Sequence, residues 1–541
     1  MTDSSPPWWQ RAVFYQIYPR SFADSNGDGV GDLPGILAHL DYVATLGVDA
    51  IWLSPFFPSP MADFGYDVAD YCGVDPLFGT LADFDAVRQR AHSLGLKLVI
   101  DQVYSHSSDH HPWFTESRQN RTNPKADWYV WADAKPDGTP PNNWQSIFGG
   151  PAWRWDGRRR QYYLHNFLAQ QPDLNLHNPS VQDALLAAAT FWLDRGVDGF
   201  RLDVANFYTH DPSLADNPPM GIDPAAPPPR PYDFQRHAHS ISQPATLTFL
   251  ARLRALMDQY DERMAVAEIV DDDPVPTQIA YVDGPDRLHT AYSFTFLGPT
   301  LTAQHVRTGV SAFPARSATA WPSWAFSNHD IPRPVSRWGS TRVLEAAQPA
   351  FAKMLLALLL TLRGTPFLFQ GEELGLPQAH IPFDKLKDPE AIAFWPAAIG
   401  RDGARTPMPW ASERPHAGFT SGEPWLPIDP AHGPLAVDLQ TADRGSTLAF
   451  TKQLLAFRKA RPALQTGEIA FLDAPEGLLA FERRLHETPC LAAFNLTDRP
   501  ITWTPPNGGW QAVALEGLTG SIDGDRVSLP PWAGLIADPR P

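Results

Sequence analysis

Eight short runs rich in β-branched and aromatic residues recur along the chain, and a helix-like segment separates most neighbouring runs. The runs lie at residues 13–22, 48–55, 97–103, 199–204, 264–269, 290–296, 324–328 and 366–370. Residues 179–195 illustrate the helical pattern, because their apolar side chains share one face and Pro179 and Gly196 mark the two ends. Eight alternations of strand and helix predict an α/β fold, a (β/α)8 TIM barrel with its functional site at the C-terminal ends of the strands.

Two smaller domains are predicted outside the barrel. Residues 104–171, rich in Trp, Pro, Asn and Asp, follow the third strand, and so long a connection usually forms a functional excursion or a subdomain. From residue 463 the chain reads as short strands with turn signals such as Asn507-Gly508. We therefore expect a barrel at 1–103 and 172–462, an inserted subdomain at 104–171 and a C-terminal antiparallel β-sandwich at 463–541.

The composition argues against several classes of partner. With a net charge of −17 and a pI near 5.4, the chain would repel nucleic acid and anionic membrane surfaces. The first ten residues lack the pattern of a secretory signal, and the longest apolar helix-like stretch, 354–362, is far shorter than the roughly 20 residues of a membrane span. The two cysteines, Cys72 and Cys490, suit a reducing compartment. We expect a cytoplasmic protein, monomeric or homodimeric, with no nucleic-acid or membrane partner.

Ionisable residues follow most of the predicted strands, which places them around one mouth of the barrel. They are Asp101, His106, Arg201, Asp203, Glu268, His329 and Asp330. The i, i+2 spacing of Arg201 and Asp203 puts both side chains on one face of a strand, where the guanidinium can keep the carboxylate ionised. The apolar setting of Glu268 would raise its pKa, which suits an acid. Taken alone, each of these residues is more often an ordinary surface charge or one member of an ion pair. Two carboxylates that face one pocket, however, are the smallest set of side chains that glycoside hydrolysis requires.

Several of these residues lie in motifs that resemble the α-amylase family of glycoside hydrolases, glycoside hydrolase family 13. Residues 101–106, 199–204, Glu268 and 327–330 are similar to its four short signature regions, in the right order and spacing. Residues 171–175 resemble the fifth region in the form typical of the oligo-1,6-glucosidase and α-glucosidase branch. Residues 61–67 and 400–408 agree with the same branch, and the resemblance covers almost the whole chain.

The resemblance implies a catalytic mechanism. Asp203 would be the nucleophile, Glu268 the general acid/base, and Asp330 a third carboxylate that holds hydroxyls of a distorted sugar. Such a double displacement retains the anomeric configuration and needs the first two carboxyl groups about 5–5.5 Å apart. Water or another alcohol would then resolve the glucosyl-enzyme, so that transfer competes with hydrolysis. One departure is Ser105, where the family usually has an Asn that is mainly structural or metal-linked, so catalysis is not in doubt.

The resemblance also implies a set of residues that bind one glucose unit. His106, His329 and Arg201 would hydrogen-bond to it, and Tyr66 would stack on it. Asp63 and Arg405 would close the pocket over its far hydroxyl, which makes the enzyme exo-acting. Two further pocket walls are implied at Phe148 and Phe167.

A candidate metal site lies after the first strand. Asp24, Asn26, Asp28, Val30 and Asp32 space oxygen atoms as the start of an EF-hand loop does, although a Gly occupies the twelfth position. In related glucosidases this segment binds a structural Ca2+ or Mg2+, with the Val30 carbonyl as one ligand. The alternative is a Gly-rich turn held by its own Asp side chains. We expect one structural divalent ion away from the pocket and no organic cofactor.

The resemblance leaves the substrate linkage open. The expected partners are small α-glucosides and alcohol acceptors, and Val204, next to the nucleophile, is the choice typical of α-1,6 enzymes. Residues 204–210 and the Pro-rich loop 217–231 instead resemble bacterial glucosidases that accept maltose, and we favour α-1,4. An oligo-1,6-glucosidase, a sucrose isomerase or a trehalose synthase would share the same carboxylates. A non-catalytic transporter subunit is disfavoured because the carboxylates are present, and Trp503 and Trp510 are more often core residues than a carbohydrate-binding surface.

Overall fold

The computed structural model describes residues 6–339, 343, 348–486 and 488–540. The strands, in chain order, are β1 (Phe14–Ile17), β2 (Ala50–Leu53), β3 (Lys97–Gln102), β4 (Trp131–Ala132), β5 (Trp153–Asp156), β6 (Gln161–Leu164), β7 (Gly199–Leu202), β8 (Met264–Ile269), β9 (Thr290–Ser293), β10 (Ser323–Ala325), β11 (Thr365–Phe369), β12 (Glu468–Phe471), β13 (Leu478–Leu485), β14 (Thr488–Asn495), β15 (Ile501–Trp503), β16 (Trp510–Ala512), β17 (Ser521–Asp523), β18 (Arg526–Leu529) and β19 (Gly534–Pro539). The α-helices are α1 (Trp8–Arg11), α2 (Leu33–Leu46), α3 (Leu81–Ser93), α4 (Pro112–Ser117), α5 (Pro179–Asp194), α6 (Ala245–Met257), α7 (Pro274–Val282), α8 (Ala303–Arg316), α9 (Pro334–Gly339), α10 (Gln348–Thr361), α11 (Pro389–Phe394), α12 (Val437–Ala442), α13 (Thr447–Lys459) and α14 (Pro462–Thr466).

Eight parallel strands form the sheet of a TIM barrel. They are ordered β10, β11, β1, β2, β3, β7, β8 and β9, and a parallel bridge between Ala291 and Pro322 joins the two outer strands. Every residue of β7, β8, β9 and β11 is buried, because helices cover the outside of the barrel and side chains fill its interior. The predicted barrel is confirmed.

Capping residues fix where the barrel helices begin. Asp32 accepts the Gly35 N–H at the start of α2, and Asn178 accepts the Ser180 N–H at the start of α5. Thr80 forms a reciprocal capping box at α3. The predicted helix 179–195 therefore agrees with α5 to within one residue at its end.

Several barrel strands are shorter than predicted. The run 13–22 contains β1 but ends in a 3-10 helix at Pro19–Ser21, because the proline cannot donate to the sheet. The run 324–328 leaves the sheet after Ala325. Its last residues instead turn over the barrel mouth and carry His329 and Asp330 to the site.

Three antiparallel sheets lie outside the barrel. Strands β4, β6 and β5 form a small sheet within residues 104–171. At the C-terminus, the sheet β12, β13, β14, β19 and β16 faces the sheet β15, β18 and β17. Trp503 and Trp510 are buried in the hydrophobic cluster between these two sheets, which confirms the predicted sandwich.

The helices of the described ranges include none that is long and apolar enough to cross a membrane. Cys72 and Cys490 are free thiols, the latter buried. Cytoplasmic location and the monomeric or homodimeric state stay predictions.

Candidate active site

A pocket of about 380 Å³ opens at the C-terminal ends of the barrel strands. Asp203 directly follows β7, Glu268 lies within β8, and Asp330 follows β10. The predicted site residues that line this pocket are Asp63, Tyr66, His106, Phe148, Phe167, Asp203, Glu268 and Asp330. Arg201, His329 and Arg405 lie immediately behind the lining, where all three are fully buried.

The guanidinium of Arg201 connects the carboxylates beneath the pocket. Its Nη1 donates to Asp203 Oδ1 at 2.6 Å and to Asp101 Oδ1 at 2.9 Å, and its Nη2 lies 2.5 Å from Glu268 Oε2. The Tyr292 hydroxyl accepts from Arg201 Nη2 at 2.9 Å and donates to Glu268 Oε1 at 2.9 Å. Because both terminal nitrogens belong to one planar group, Asp203 and Glu268 are held side by side.

Burial dominates the protonation of the two carboxyl groups. It raises the pKa of Asp203 and of Glu268 to about 7, although Arg201 opposes the shift at each. Burial also raises the pKa of Asp101 to about 6. Near neutral pH the pair can therefore hold one proton and one negative charge, which is the state that an acid and a nucleophile require.

Asp330 is held as an anion by its neighbours. Arg405 Nη2 donates to Asp330 Oδ1 at 2.7 Å, and His329 Nε2 lies 3.3 Å from Oδ2. Burial alone would raise the pKa of Asp330, but His329, Arg405 and Arg401 together lower it well below its usual value. Gln16 Nε2 donates to His329 Nδ1 at 2.8 Å, which leaves the imidazole proton on Nε2, the nitrogen nearest Asp330.

Asp63 and Arg401 close one end of the pocket. Arg401 Nη2 donates to Asp63 Oδ1 at 2.8 Å and to Asp388 Oδ1 at 2.7 Å, and its guanidinium lies 4.9 Å from the centroid of Phe148. The resemblance implies that Asp63 and Arg405 close the pocket over the far hydroxyl of the glucose. In the structure Arg401 is the arginine that contacts Asp63, whereas Arg405 donates to Asp330 and to the His329 carbonyl behind the lining. A 3-10 turn at Asp402–Ala404 separates the two arginines, so that only the first reaches the pocket.

Aromatic and imidazole rings form the walls beside the carboxylates. The Tyr66 ring stacks on His329 with centroids 5.2 Å apart and an interplanar angle of 9°. The centroid of His106 lies 5.1 Å from that of Phe167, which lies 6.0 Å from that of Phe148. Burial lowers the pKa of His106 to about 4, so this imidazole is neutral at physiological pH.

The backbone directly after Asp203 is strained. Val204 has φ 34° and ψ 52°, a left-handed conformation that β-branched residues rarely adopt. In this conformation its N–H donates to Glu268 Oε2 at 3.2 Å. Strain of this kind costs about 1–3 kcal/mol and is typical of functional sites. Here it provides a backbone donor to the Glu268 carboxyl group.

Several pocket residues were not found from the sequence. Arg230 and Tyr232 lie on or beside the Pro-rich loop, Phe294 follows β9, and Glu390 is in α11. Long connections without a periodic pattern give no local signal for such positions. Arg401 could have been found, because it lies within the recognised motif 400–408.

In the predicted metal loop, Asp side chains accept hydrogen bonds from backbone N–H groups of the same loop. Asp24 accepts three backbone N–H groups at 2.8–2.9 Å, Asp28 accepts that of Val30 at 2.9 Å, and Asp32 caps α2. No group of three or more His, Cys, Asp or Glu side chains in the described part of the chain is arranged to hold a metal ion. An ion here would depend on the Asn26 and Val30 oxygens as much as on the carboxylates, a donor set that suits a hard cation. Ion binding stays a prediction.

Comparison with known proteins agrees with this geometry. The family model described as "Alpha amylase, catalytic domain" matches residues 16–467, which include the second half of β1, the other seven barrel strands and the three carboxylates. The chain belongs to the α-amylase family. This α-amylase family protein is accordingly a glycoside hydrolase built on a TIM barrel.

Two relatives indicate the branch of the family in which the chain falls. The chain is 52% identical over 537 residues to a "Probable alpha-glucosidase" of Rhizobium meliloti, with 98% of this chain and 97% of the relative covered. It is 36% identical over 528 residues to an "Oligo-1,6-glucosidase" of Halalkalibacterium halodurans, with 92% and 91% covered. The α-amylase family protein thus falls in the α-glucosidase and oligo-1,6-glucosidase branch.

Solved structures support the same assignment. The α-glucosyl transfer enzyme XgtA superposes with a TM-score of 0.96 at 53% identity, with 99% of this chain and 100% of that chain covered. The trehalulose synthase MutB from Pseudomonas mesoacidophila superposes with a TM-score of 0.91 at 33% identity, with 99% and 100% covered. Relatives of one fold thus carry the names of different activities, so that the fold alone does not select among them.

Proposed function

We propose that the protein is a retaining, exo-acting α-glucosidase that releases terminal α-1,4-linked glucose from short substrates such as maltose. One observation carries the proposal: Asp203 and Glu268 share the Arg201 guanidinium at the floor of a pocket that Asp63 and Arg401 close at one end. A closed end admits the terminal sugar of a chain and no sugar beyond it. The names of the curated relatives support the substrate class.

The first chemical step breaks the bond between the anomeric carbon and the glycosidic oxygen. The Asp203 carboxylate attacks the anomeric carbon, and Glu268 gives its proton to the departing oxygen. Asp330 stays anionic throughout, because the cationic and imidazole side chains around it lower its pKa. It therefore accepts hydrogen bonds from sugar hydroxyls as the ring distorts.

The contact of both carboxyl groups with Arg201 favours a mechanism that retains the anomeric configuration over one that inverts it. Retaining enzymes place the two carboxyl groups about 5–5.5 Å apart, whereas inverting enzymes separate them by about 6.5–9.5 Å to admit a water molecule. Both carboxyl groups contact Arg201, Asp203 through Nη1 and Glu268 through Nη2. This arrangement supports the shorter separation and a covalent glucosyl-enzyme.

The second step regenerates the enzyme. Water or an alcohol attacks the anomeric carbon, Glu268 takes the proton of the attacking hydroxyl, and the Asp203 carboxylate leaves. Glucosyl transfer is the activity named for XgtA, and we propose transfer here as a reaction that competes with hydrolysis.

Product analysis tests the proposal. Maltose, isomaltose and sucrose are incubated in parallel with the wild type and with Asp203→Asn, and the products are followed by proton NMR. Early α-glucose from maltose that disappears in Asp203→Asn is the expected result. Asp133→Asn is a matched control, because Asp133 is exposed in the inserted subdomain and is not part of the pocket lining.

The other outcomes identify the alternatives. Preferential cleavage of isomaltose would establish an oligo-1,6-glucosidase, in keeping with Val204 beside the nucleophile. Rearrangement of sucrose without net glucose release would establish a glucosyl isomerase. Undiminished glucose release by Asp203→Asn would contradict the catalytic assignment itself.

A further inference from the structure

Tyr292 is a buried tyrosine that faces Glu268 from the neighbouring barrel strand. In the parallel register of β8 and β9 these two residues lie directly opposite each other, so both side chains leave the sheet on the same face. The Tyr292 side chain is fully buried and packs near the rings of Trp52 and Phe367, whose centroids are 6.3 and 5.9 Å from its own. It is not one of the residues that line the pocket. Any effect of Tyr292 on the reaction must therefore act through the residues that it contacts.

The hydrogen bonds of the Tyr292 hydroxyl fix the direction of its proton. Arg201 Nε and Nη2 both donate to the hydroxyl oxygen, at 3.2 and 2.9 Å. The single hydroxyl proton is therefore left for Glu268 Oε1, 2.9 Å away. Burial raises the pKa of Tyr292 well above its usual value, so the proton stays on the hydroxyl at neutral pH. Because Arg201 occupies its acceptor positions, the hydroxyl can donate to Glu268 but cannot accept the proton of a neutral carboxyl group.

A donor fixed in this way stabilises one protonation state of Glu268. A hydrogen bond to the ionised form of a carboxyl group lowers its pKa. The charged groups that face Glu268 from other elements act in both directions. Arg201 on β7 lowers the pKa, whereas burial and the negative charges of Asp203 after β7 and Asp330 after β10 raise it. Asp101 on β3 carries a further negative charge that interacts with Glu268. The tyrosine hydroxyl opposes burial and these anions without adding a charge of its own.

We infer that Tyr292 is a positioning residue that holds Glu268 Oε1 and makes this carboxyl group easier to ionise, so that Glu268 can act as a base as well as an acid. The inference rests on the proposed double displacement. In the first step Glu268 gives its proton to the departing oxygen and becomes a carboxylate, to which the hydroxyl donates. In the second step this carboxylate takes the proton of the attacking water, while the bond between the anomeric carbon and Asp203 breaks. The tyrosine proton stays on its own oxygen throughout.

The pH dependence of Tyr292→Phe tests the inference. The variant keeps the ring and removes the donor, so Glu268 should lose its proton only at higher pH. With maltose as substrate, we expect the alkaline limb of kcat/KM to move to higher pH by about one unit, which corresponds to the loss of one hydrogen bond to a charged group. An alkaline limb at the wild-type position, in a variant with the wild-type circular dichroism spectrum, would overturn the inference.

Tyr208→Phe is the matched control. Tyr208 is 1% exposed, and its hydroxyl has no hydrogen-bond partner within the described part of the chain. This variant also removes a buried hydroxyl, but not a donor to Glu268, and it should keep the wild-type pH profile. An equal shift in both variants would assign the effect to the loss of a buried hydroxyl in general and would overturn the inference.

A stronger donor at the same position should have the opposite effect. Replacement of Tyr292 by 3-fluorotyrosine makes the hydroxyl more acidic and changes one ring hydrogen, so it tests the inference even if Tyr292→Phe does not fold. We expect the alkaline limb to move to lower pH, because a more acidic donor stabilises the carboxylate more. A shift to higher pH, or none, would contradict the role of Tyr292 as a donor.

The choice of substrate separates this inference from the proposed function. Wild-type protein that cleaves isomaltose but not maltose would overturn the proposed linkage, and the same pH profiles measured with isomaltose would then decide the role of Tyr292. No glucose from either substrate would overturn the proposed function, and the inference with it.

Discussion

Two neighbouring carboxyl groups have different surroundings although burial raises the pKa of both to about 7. Glu268 accepts the Tyr292 hydroxyl at 2.9 Å and the Val204 N–H at 3.2 Å, in addition to its contact with Arg201. Asp203 accepts Arg201 Nη1 at 2.6 Å. The charge on either group raises the pKa of the other. The pair therefore titrates as a unit, and its two apparent pKa values belong to both carboxyl groups together.

This coupling predicts the pH profile. With maltose, kcat/KM should be bell-shaped around pH 7, because it falls with decreasing pH as Asp203 is protonated and falls with increasing pH as Glu268 loses its proton. In Glu268→Gln, assayed with an aryl α-glucoside whose leaving group needs little protonation, the alkaline limb should disappear. The acidic limb should stay near its wild-type position, because Glu268 is already protonated and uncharged when Asp203 ionises, and Gln is likewise uncharged.

The exposed Glu262 provides the control for this profile. Glu262→Gln should keep the wild-type limbs, since its side chain is 67% exposed and pairs with Lys97. A Glu268→Gln profile with an unchanged alkaline limb would assign the acid role to another group.

Arg401 permits a test of the closed end of the pocket. Arg401→Lys keeps the positive charge but loses the fork that joins Asp63 to Asp388. We expect kcat/KM for maltose to fall about 10- to 100-fold, since a hydrogen bond to a charged group is worth about 1.5–3 kcal/mol. Steady-state kinetics measure the change, and the exposed Arg414→Lys on a nearby connection should match the wild type. Equal kinetics for both variants would show that Arg401 does not hold the terminal sugar.

The elements of the barrel were predictable because each has a strong local signal. Buried strands such as β8 are apolar runs, broken there by Glu268 alone, and helices such as α5 begin at a proline and end near a glycine. The carboxylates were predictable for the same reason, since each lies near the C-terminal end of a barrel strand or shortly after it. Arg230 and Glu390 were not, because they are 160 residues apart on irregular connections and meet only in the folded chain. Which of Arg401 and Arg405 reaches the pocket depends on the 3-10 turn between them, and the spacing of the two residues in the sequence does not determine the direction of that turn.

The loop between β1 and α2 carries a prediction at the scale of a single element. If it binds a divalent ion, added Ca2+ should raise the thermal midpoint and a chelator should lower it, because ligand binding to the folded state adds about 2.7 kcal/mol at a hundredfold excess over Kd. Asp28→Asn should reduce this shift, since it removes a ligand charge while its Oδ1 can still accept the Val30 N–H.

Asp70→Asn is a close control for the loop. Asp70 is exposed and accepts the Cys72 N–H at 2.9 Å, the same i, i+2 contact that Asp28 makes with Val30. It should retain the full shift in thermal midpoint. A midpoint that is insensitive to both Ca2+ and chelator in the wild type would favour the alternative, a turn stabilised by its own side chains.

At the scale of the whole molecule, buried arginines fasten the C-terminal sandwich to the barrel. Arg483 in β13 donates through Nη1 to the carbonyls of Thr361 and Leu362 at 2.7 Å each, and through Nη2 to that of Gly467 at 2.9 Å. Arg458, in the barrel helix α13, donates to the Leu360 carbonyl at 2.7 Å. The carbonyls of residues 360–362 lie at the end of α10, where unpaired acceptors and the helix dipole both favour a cation. The sandwich thus supplies the cap of a barrel helix.

Removing this cap should destabilise the molecule without changing its chemistry. Burial, together with the charges of Arg458 and Arg363, lowers the pKa of Arg483 well below its usual value. An apolar replacement therefore removes the free-energy cost of a buried charge and leaves only the cost of buried carbonyl oxygens without a donor. We expect Arg483→Met to lower the free energy of unfolding by about 1–3 kcal/mol, the penalty for buried acceptors without a donor. Thermal denaturation measures it, with Arg499→Met, 86% exposed, as control.

The position of this contact separates stability from catalysis. The end of α10 leads into the N-terminal end of β11, so the arginine cap lies at the face of the barrel opposite the pocket. Well below its melting temperature, Arg483→Met should therefore keep the wild-type kcat/KM and pH profile per folded molecule. A variant with an unchanged thermal midpoint but a reduced kcat/KM would contradict both parts of the argument, because it would mean that the sandwich acts on the pocket rather than on the stability of the barrel.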